Sequence, residues 1–302
     1  MRVIFLFLDG VGLGEPDAQV NPWWAASLPT LRFLLRGRIP SVRTVPHTTP
    51  DAVLYATDAT GGIAGIPQSA TGQATLLTGQ NVPALIGEHY GPRPDRRIRP
   101  LLERETFLHA ALARGRRVAF ANAYPPRFFQ HIDSGRRLPG AFPYAARSAG
   151  IRLRTAEDLA AGRAFSVDYT NQAWREQLGF PHMPVWTPQE AGRKFAAWAQ
   201  EYDLVLVDQW ATDMAGHRQD WAMAVSLLER FDAFLEGILE VVDLASTLIL
   251  VTSDHGNLED MRTRRHTRNP VFTLLIGPWR ELDCGPVERL TQVRDVVERA
   301  LT

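Results

Sequence analysis

The chain has 302 residues, enough for one large α/β domain or two small ones, and its 45% hydrophobic and 22% charged residues are ordinary for a globular protein. Its 33 basic and 33 acidic residues cancel, which argues against bulk attraction to nucleic acid or to a membrane surface. One cysteine, Cys284, excludes an internal disulfide and a cysteine metal cluster, and with Lys194 as the sole lysine any phosphate clamp would use arginine.

The first apolar run, Val3–Leu8, predicts a central strand that leads into Asp9 and several glycines. The run is too short for a signal peptide or a membrane span, so we expect a cytoplasmic protein that binds neither membrane nor nucleic acid. Its oligomeric state stays open. The glycines lack the spacing of a dinucleotide-binding loop, and Asp9 alone is equally explained as a turn residue.

Strand and helix patterns alternate along most of the chain. Strands are predicted at 52–57, 117–121, 202–208, 247–251 and 271–276, and helices at 28–36, 69–79, 101–113, 188–200, 221–241 and 290–301. This alternation predicts a three-layer α/β/α sandwich with a mainly parallel central sheet. Residues 124–185 break the pattern with prolines, aromatics and arginines, and are partly helical near 155–161 and 172–178. We therefore expect a core of 1–123 and 186–302 with a small inserted lid or loop region at 124–185.

Residues that can bind a metal follow the strand at 247–251, which leads into Asp254 and His255, and His266 precedes the strand at 271–276. Ligands of α/β sheets lie beyond the carboxyl ends of the strands. A carboxylate with two imidazoles suits zinc or manganese, although a surface turn explains this stretch equally well.

A second pair of candidate ligands, Asp213 and His217, follows the strand at 202–208. The two residues are one helical turn apart, so both would project from the same face of a helix. This spacing is also a common coincidence.

Ser69 begins the predicted helix 69–79, where a serine is a good N-cap on structural grounds alone. A hydroxyl at a helix N-terminus also lies beside free N–H groups that bind phosphate. Ser69 is therefore a candidate nucleophile and metal ligand, with Thr71 as the alternative nucleophile.

Taken together, these motifs resemble the alkaline phosphatase superfamily, in particular the branch of cofactor-independent phosphoglycerate mutase and phosphopentomutase. The segments that carry the resemblance are Asp9-Gly10-Val11-Gly12, Asp213-x-x-x-His217, Asp254-His255-Gly256-Asn257-x-Glu259-x-Met261 and His266-Thr267-x-Asn269-Pro270-Val271. In that superfamily the nucleophile lies nine residues before a Thr-Gly pair, here Thr78-Gly79, which favours Ser69 over Thr71. Sulfatases place Pro and Arg where this chain has Thr71 and Gln73, so we do not expect sulfatase activity.

The resemblance implies two divalent metal ions, manganese or zinc, with magnesium as a further candidate. One ion would be held by Asp213, His217 and His266, and the other by Asp9, Asp254, His255 and the Ser69 oxygen. Asn257, Glu259 and Thr267 would orient the imidazoles. Arg264 and Arg268, which flank His266, would contact the phosphate of the substrate.

The same resemblance implies phosphoryl transfer from a small phosphorylated metabolite through a phosphoseryl intermediate. The mutases carry a large lobe directly after the nucleophile helix, but here core-like patterns resume by residue 101. A short lid at 124–185 would admit water, so we expect a phosphomonoesterase. A phosphomutase is the alternative, and a catalytically silent metal-binding protein is the second alternative.

Overall fold

The computed structural model describes all residues from 1 to 302, and its centre is a seven-stranded sheet. The strands are β1 (Arg2–Leu8), β2 (His47–Thr48), β3 (Ala52–Thr57), β4 (Val118–Phe120), β5 (Leu204–Gln209), β6 (Thr247–Thr252) and β7 (Val271–Ile276). They lie in the order β2-β3-β7-β6-β1-β5-β4. The four strands β6, β1, β5 and β4 are parallel, whereas β7 runs antiparallel to both β6 and β3.

Helices cover both faces of this sheet. They are α1 (Pro22–Ala25), α2 (Pro29–Leu34), α3 (Ser69–Thr78), α4 (Val82–Ile86), α5 (Arg99–Leu102), α6 (Phe107–Ala113), α7 (Pro126–Asp133), α8 (Ala141–Ser148), α9 (Ala156–Ala160), α10 (Gln172–Glu176), α11 (Pro188–Ala199), α12 (Ala211–Arg218), α13 (Trp221–Leu239) and α14 (Val293–Ala300). Two 3₁₀ turns, Trp279–Leu282 and Leu290–Gln292, lie near the C-terminus. None of the helices combines the length and the apolar character that crossing a bilayer requires.

Alternate side chains of β1 point into two separate cores, as expected for a buried central strand. Ile4, Leu6 and Leu8 join a cluster with α11 and α13 on one face. On the other face Phe7 packs against Phe142 of α8 with ring centroids 4.5 Å apart. Two cores on opposite faces of one sheet make three layers, and the predicted α/β sandwich is confirmed.

Local differences from the predicted elements have identifiable causes. The prediction of a single helix at 101–113 is wrong, because the structure has two helices there, α5 and α6. The side chain of Thr106 caps α6 by accepting a hydrogen bond from the His109 N–H. The segment 124–185 contains α7 and α8, which were not predicted. Pro143 is tolerated in α8 because it lies in the first turn, where its missing N–H has no intrahelical partner.

Candidate metal centre and nucleophile

Three parallel strands bring the predicted residues to one edge of the sheet. Asp9 follows β1, and Asp254 and His255 follow β6, which neighbours β1. On the other side of β1, strand β5 leads into α12, which carries Asp213 and His217. The parallel register therefore gathers residues that are far apart in sequence.

The first group of potential ligands is formed by Asp213, His217 and His266, whose ligand atoms all lie within 4.8 Å of one another. His217 Nε2 is 3.2 Å from Asp213 Oδ2, and His266 Nε2 is 3.5 Å from Asp213 Oδ1. This group matches the ligand set predicted for one ion. His217 is the most exposed of the three, so the group faces the mouth of the site.

Backbone carbonyls orient the two imidazoles of this group. His266 Nδ1 lies 2.8 Å from the Pro67 carbonyl oxygen, and His217 Nδ1 lies 2.7 Å from that of Arg264. If each Nδ1 donates its proton, both Nε2 atoms carry lone pairs, and these atoms are only 3.0 Å apart. Two lone pairs this close repel each other unless a cation or a proton lies between them.

The second group consists of Asp9, Asp213 and His255, again with ligand atoms within 4.8 Å of one another. His255 Nε2 is 3.4 Å from Asp9 Oδ1 and 3.6 Å from Asp254 Oδ2. The ligand set that the family resemblance implies for this ion has Asp254 in place of Asp213. In the structure Asp213 lies between the two groups and Asp254 borders the second one.

Ser69 is the first residue of α3 and faces this second group. Its Oγ is 3.0 Å from His255 Nε2. The N-cap residue is Gln68, so the N-cap role considered for Ser69 is wrong. The Thr71 hydroxyl instead donates to the carbonyl oxygens of Gln68 and Tyr90, which leaves Ser69 as the hydroxyl directed at the candidate metal ligands.

The N-terminus of α3 also offers unused hydrogen-bond donors. The Thr71 N–H donates to the Tyr90 carbonyl and the Gly72 N–H to the Gln68 carbonyl. The N–H groups of Ser69 and Ala70, however, have no acceptor within the chain. Free N–H groups at a helix N-terminus form a binding site for a phosphate oxygen.

Buried carboxylates dominate the electrostatics of the site. Burial and the neighbouring Asp254 and Asp213 raise the pKa of Asp9 well above its ordinary value. Burial and Asp213 raise the pKa of Asp254 to about 7. A further carboxyl group, Asp208 at the end of β5, has its pKa raised to about 7 by burial and by Asp254.

The imidazoles only partly offset this negative charge. Burial lowers the pKa of His255, and burial with the His255 charge lowers the pKa of His266 to about 4, so both rings are neutral near pH 7. Only the pKa of His217 is raised, by its hydrogen bond with Asp213. Burial alone would raise the pKa of Asp213, but the hydrogen bond with His217, and the positive charges that His255 and His266 carry when protonated at low pH, lower it below its ordinary value.

The donor set fits divalent cations. Asp9 Oδ1 and Asp254 Oδ2 are buried without any hydrogen-bond partner, which is costly for a carboxylate oxygen. No lysine or arginine forms an ion pair with Asp9, Asp213 or Asp254. Carboxylates and neutral imidazoles that converge without a compensating cation are the ligand chemistry of zinc and manganese.

The groups expected to orient the imidazoles act differently. Asn257 donates to Asp213 Oδ1 at 2.7 Å, so it orients a carboxylate. Glu259 accepts from the Asn257 N–H at 2.8 Å and from the Thr267 hydroxyl. The expectation of imidazole contacts is therefore wrong for all three residues, which instead hold the ligand-bearing loops together.

The two arginines proposed to contact phosphate are engaged with the protein. Arg264 Nε donates to Gln219 Oε1 at 3.0 Å, and Arg268 donates to the Gly65 carbonyl.

Three more residues at the site were not singled out from the sequence. Gln73 Nε2 donates to Asp9 Oδ2 at 3.2 Å. Asp208 is buried at the end of β5, and Asn122 bonds its backbone groups. Ser253 Oγ accepts from the Val11 N–H at 2.9 Å. For Asp208 the strand pattern did carry a signal, since it ends an apolar run just as Asp9 does.

Comparison with known proteins places this geometry in context. Residues 188–297 match the sequence profile of the Metalloenzyme superfamily. A 2,3-bisphosphoglycerate-independent phosphoglycerate mutase from Desulforudis audaxviator is 33% identical over 100 residues, which are 31% of this chain and 20% of the mutase. The enzyme of the same name from Rhodopseudomonas palustris is 34% identical over 113 residues, 34% of this chain and 21% of the mutase. The chain therefore spans about a fifth of the length of these curated relatives.

Solved structures share the fold over nearly the whole chain. The PH0037 protein from Pyrococcus horikoshii aligns with a TM-score of 0.59 at 16% identity, covering 99% of this chain and 97% of that protein. The alkaline phosphatase of Thermus thermophilus aligns with a TM-score of 0.52 at 13% identity, covering 99% and 91%. At these identities the likeness concerns the fold.

Proposed function

We propose that this chain, which is a member of the alkaline phosphatase superfamily of metal-dependent enzymes, is a phosphomonoesterase that acts on a small phosphorylated metabolite through a phosphoseryl intermediate. The observation that carries the proposal is the position of Ser69 Oγ, 3.0 Å from His255 Nε2 at the edge of the two ligand groups. A hydroxyl beside two candidate cation sites is the arrangement that two-metal phosphoryl transfer through a serine nucleophile uses.

The proposed ligands are those in which sequence and geometry agree. Asp213, His217 and His266 would hold one ion, and Asp9, His255 and Ser69 Oγ the other, with Asp213 and Asp254 at its border. Bound divalent ions, zinc or manganese in preference to magnesium, would supply Lewis-acid polarisation of the phosphoryl oxygens and a lowered pKa of the serine hydroxyl.

The chain's own groups then account for binding and transfer. The free N–H groups of Ser69 and Ala70 would receive a phosphoryl oxygen. A bond forms between Ser69 Oγ and phosphorus while the bond from phosphorus to the substrate's alcohol oxygen breaks, and the serine proton ends on the released alcohol. Water then breaks the bond between Ser69 Oγ and phosphorus, which releases inorganic phosphate and restores the hydroxyl.

The test is a search for the phosphoenzyme. Wild-type protein with manganese, zinc or magnesium should hydrolyse members of a panel of phosphorylated metabolites and carry radiolabelled phosphate after acid quench. Ser69→Ala should lose the label and lose turnover by a factor of about 10³ or more. Persistent labelling of Ser69→Ala would move the nucleophile to Thr71, and absence of turnover and label in the wild type would leave a silent metal-binding protein.

The matched control is Ser246→Ala. Ser246 immediately precedes β6, at the opposite edge of the sheet from the site, and its hydroxyl bonds only to Asp243. The same serine-to-alanine change there should leave labelling and turnover at wild-type levels.

A phosphomutase is the second candidate, because the curated relatives are named phosphoglycerate mutases. The same phosphoseryl intermediate would form, but the phosphoryl group would return to a second hydroxyl of the bound alcohol. We favour hydrolysis because the segment 124–185 is short and its first helix, α7, has no buried residue.

A further inference from the structure

An exposed tryptophan, Trp210, lies three residues before the candidate metal ligand Asp213. Trp210 directly precedes α12, and its backbone already has helical dihedral angles. It is 41% exposed and is the one exposed tryptophan of the eight in the chain. It belongs to neither of the two cores, and its ring makes no aromatic, cation–π or hydrogen-bonding contact with the rest of the chain.

Helical spacing places Trp210 on the face of α12 that carries the ligands. Asp213 and His217 follow it at i+3 and i+7, positions that share one side of a helix. The opposite side of α12, which includes Ala211 and Ala215, is buried. The Cβ atoms of Trp210 and Asp213 are therefore about 5–6 Å apart on one side of the helix.

Trp210 follows β5, one of the central strands, at the edge of the sheet where the candidate ligands lie. β5 adjoins β1, and the hydroxyl of Thr212, two residues after Trp210, donates to the Asp9 carbonyl at 2.6 Å. Met214 lies one turn after Trp210 on the same face and is half-buried. The mouth of a strongly polar site is thus bordered by an indole and a thioether, two groups that favour contact with ring systems.

We propose that Trp210 stacks against the alcohol part of the substrate, and that this part carries a planar ring, as in a nucleoside monophosphate or an aryl phosphate. The proposal rests on the proposed phosphoesterase function for the position of the phosphoryl group. With that group at Ser69 and the Asp213 cluster, a ring carried by the ester oxygen can extend to the indole, because the Cβ of Trp210 is about 5–6 Å from that of Asp213. Planar rings gain most from an indole because their flat faces can stack against it.

A binding experiment tests the contact without turnover. Ser69→Ala protein with manganese is titrated with adenosine monophosphate and, separately, with ribose 5-phosphate, which lacks only the base. Acrylamide quenches exposed tryptophans most strongly, and the difference in quenching between this protein and the same protein with Trp210→Phe isolates the contribution of Trp210. We expect adenosine monophosphate to shield this fluorescence and ribose 5-phosphate to leave it unchanged. Trp210→Phe should lack the shielded component.

A kinetic experiment tests specificity. Wild type should prefer adenosine monophosphate over ribose 5-phosphate in kcat/KM by about fivefold to a hundredfold, Trp210→Ala should lose that preference, and Trp210→Phe should recover part of it. Phenyl phosphate against glycerol phosphate repeats the comparison without ribose and separates a base from a simple arene. Trp221→Phe, a half-buried position on α13, is the control and should keep the wild-type ratio.

The outcomes separate the two proposals. An unchanged ratio in Trp210→Ala, an equal effect of Trp210 on glucose 6-phosphate, or a change only in oligomeric state would overturn the stacking role. Shielding by adenosine monophosphate in a protein that forms no phosphoenzyme would support the stacking role while the phosphoesterase proposal fails.

Discussion

The carboxylate of Glu259 connects the loops that carry the candidate ligands. It accepts hydrogen bonds from the Gly12 N–H at 2.9 Å, from the Asn257 N–H at 2.8 Å and from Asn269 Nδ2 at 3.0 Å, in addition to the Thr267 hydroxyl. Only 1% of Glu259 is exposed, so water cannot replace a lost bond. Charge-assisted bonds of this kind are stronger than those between neutral groups.

Glu259→Gln should therefore destabilise the fold although the shape of the side chain is kept. One acceptor oxygen becomes an NH₂ group that faces N–H or O–H donors, and we expect the free energy of unfolding to fall by about 2–3 kcal/mol. Metal affinity should fall as well, because the segments at Gly12, Asn257 and Thr267 lose their common anchor. Asn257 also holds the candidate ligand Asp213 through a hydrogen bond. Denaturant unfolding and metal titration measure the two effects.

The control is Glu229→Gln, in which an exposed carboxylate accepts one bond from the Ser27 N–H. Surface changes of this kind stay within about 0.5 kcal/mol. Equal losses in the two variants would contradict the anchoring role of Glu259.

Single residues were predictable where a strand pattern ended in a ligand type. Asp9, Asp254 and Asp213 each follow an apolar strand, and the structure brings them together with the predicted imidazoles. Trp210 and Gln73 carry no such signal, because their importance comes from neighbours that sequence reading does not supply. The roles of all these residues remain predictions.

At the scale of elements, periodicity predicted the long helices and the central strands but not where short helices divide. The break between α5 and α6 depends on the capping bond of Thr106, which competes with a continuous helix. β7 was predicted as a strand, but its antiparallel direction depends on the path of the connection from β6, which passes through the site at His266. Direction is a property of tertiary structure and not of a six-residue apolar run.

The start of α2 depends on a residue from another helix. Leu28 offers no side-chain cap, and Asp232 of α13 instead accepts hydrogen bonds from the Thr30 N–H at 2.9 Å and the Leu31 N–H at 2.8 Å. Burial raises the pKa of Asp232, although these bonds lower it in part. The native state therefore holds this proton more tightly than the unfolded chain does.

This shift gives a pH dependence with a definite sign. Because the folded pKa of Asp232 lies above the ordinary 3.8, its contribution to stability is fully present below pH 3.8 and is lost as the pH rises through the folded value. Asp232→Asn replaces the carboxyl group with an amide that does not titrate in this pH range. The free energy of unfolding of the wild type minus that of Asp232→Asn should therefore decrease as the pH rises from about 4 toward neutrality, which urea unfolding at a series of pH values measures.

Asp243→Asn provides a control of opposite sign. A hydrogen bond from the Ser246 hydroxyl lowers the pKa of the exposed Asp243, so its contribution is present above 3.8 and is lost as the pH falls through the lower folded value. The difference between wild type and Asp243→Asn should therefore increase with pH. Parallel trends in the two variants would show that Asp232 is not the group responsible.

At the scale of the whole molecule, topology explains why ligands from Asp9 to His266 converge. Parallel strands joined by helices bring all their carboxyl ends to one edge, so the candidate centre follows from the α/β class once the strands are recognised. The path of 124–185 did not follow from the sequence. Phe142 from that segment packs between Phe5 and Phe7 in one core, whereas α7 stays on the surface. The segment carries too little periodicity to separate these two roles.

The surface position of α7 bears on the choice between hydrolysis and mutase chemistry. Arg136 and Arg137 lie exposed shortly after this helix, and the helices of the segment are short, the longest being α7 (Pro126–Asp133) and α8 (Ala141–Ser148). We expect so short a segment to leave a path for water to a phosphoseryl intermediate at Ser69. A mutase has to exclude water for as long as its bound intermediate takes to turn over.

Turnover in heavy-oxygen water distinguishes the two outcomes. If water opens the phosphoseryl bond, each released phosphate should carry one solvent oxygen, and no isomer of the substrate should accumulate. If the phosphoryl group returns to the same alcohol, the isomer should appear without solvent oxygen, and an enclosed site would have to form through movement of 124–185. Mass spectrometry of phosphate and of the recovered ester measures both products in one reaction. Ser69→Ala is the control, because any labelled phosphate that it releases must come from a route that bypasses the serine, and a wild-type yield of that phosphate would contradict the open-intermediate account.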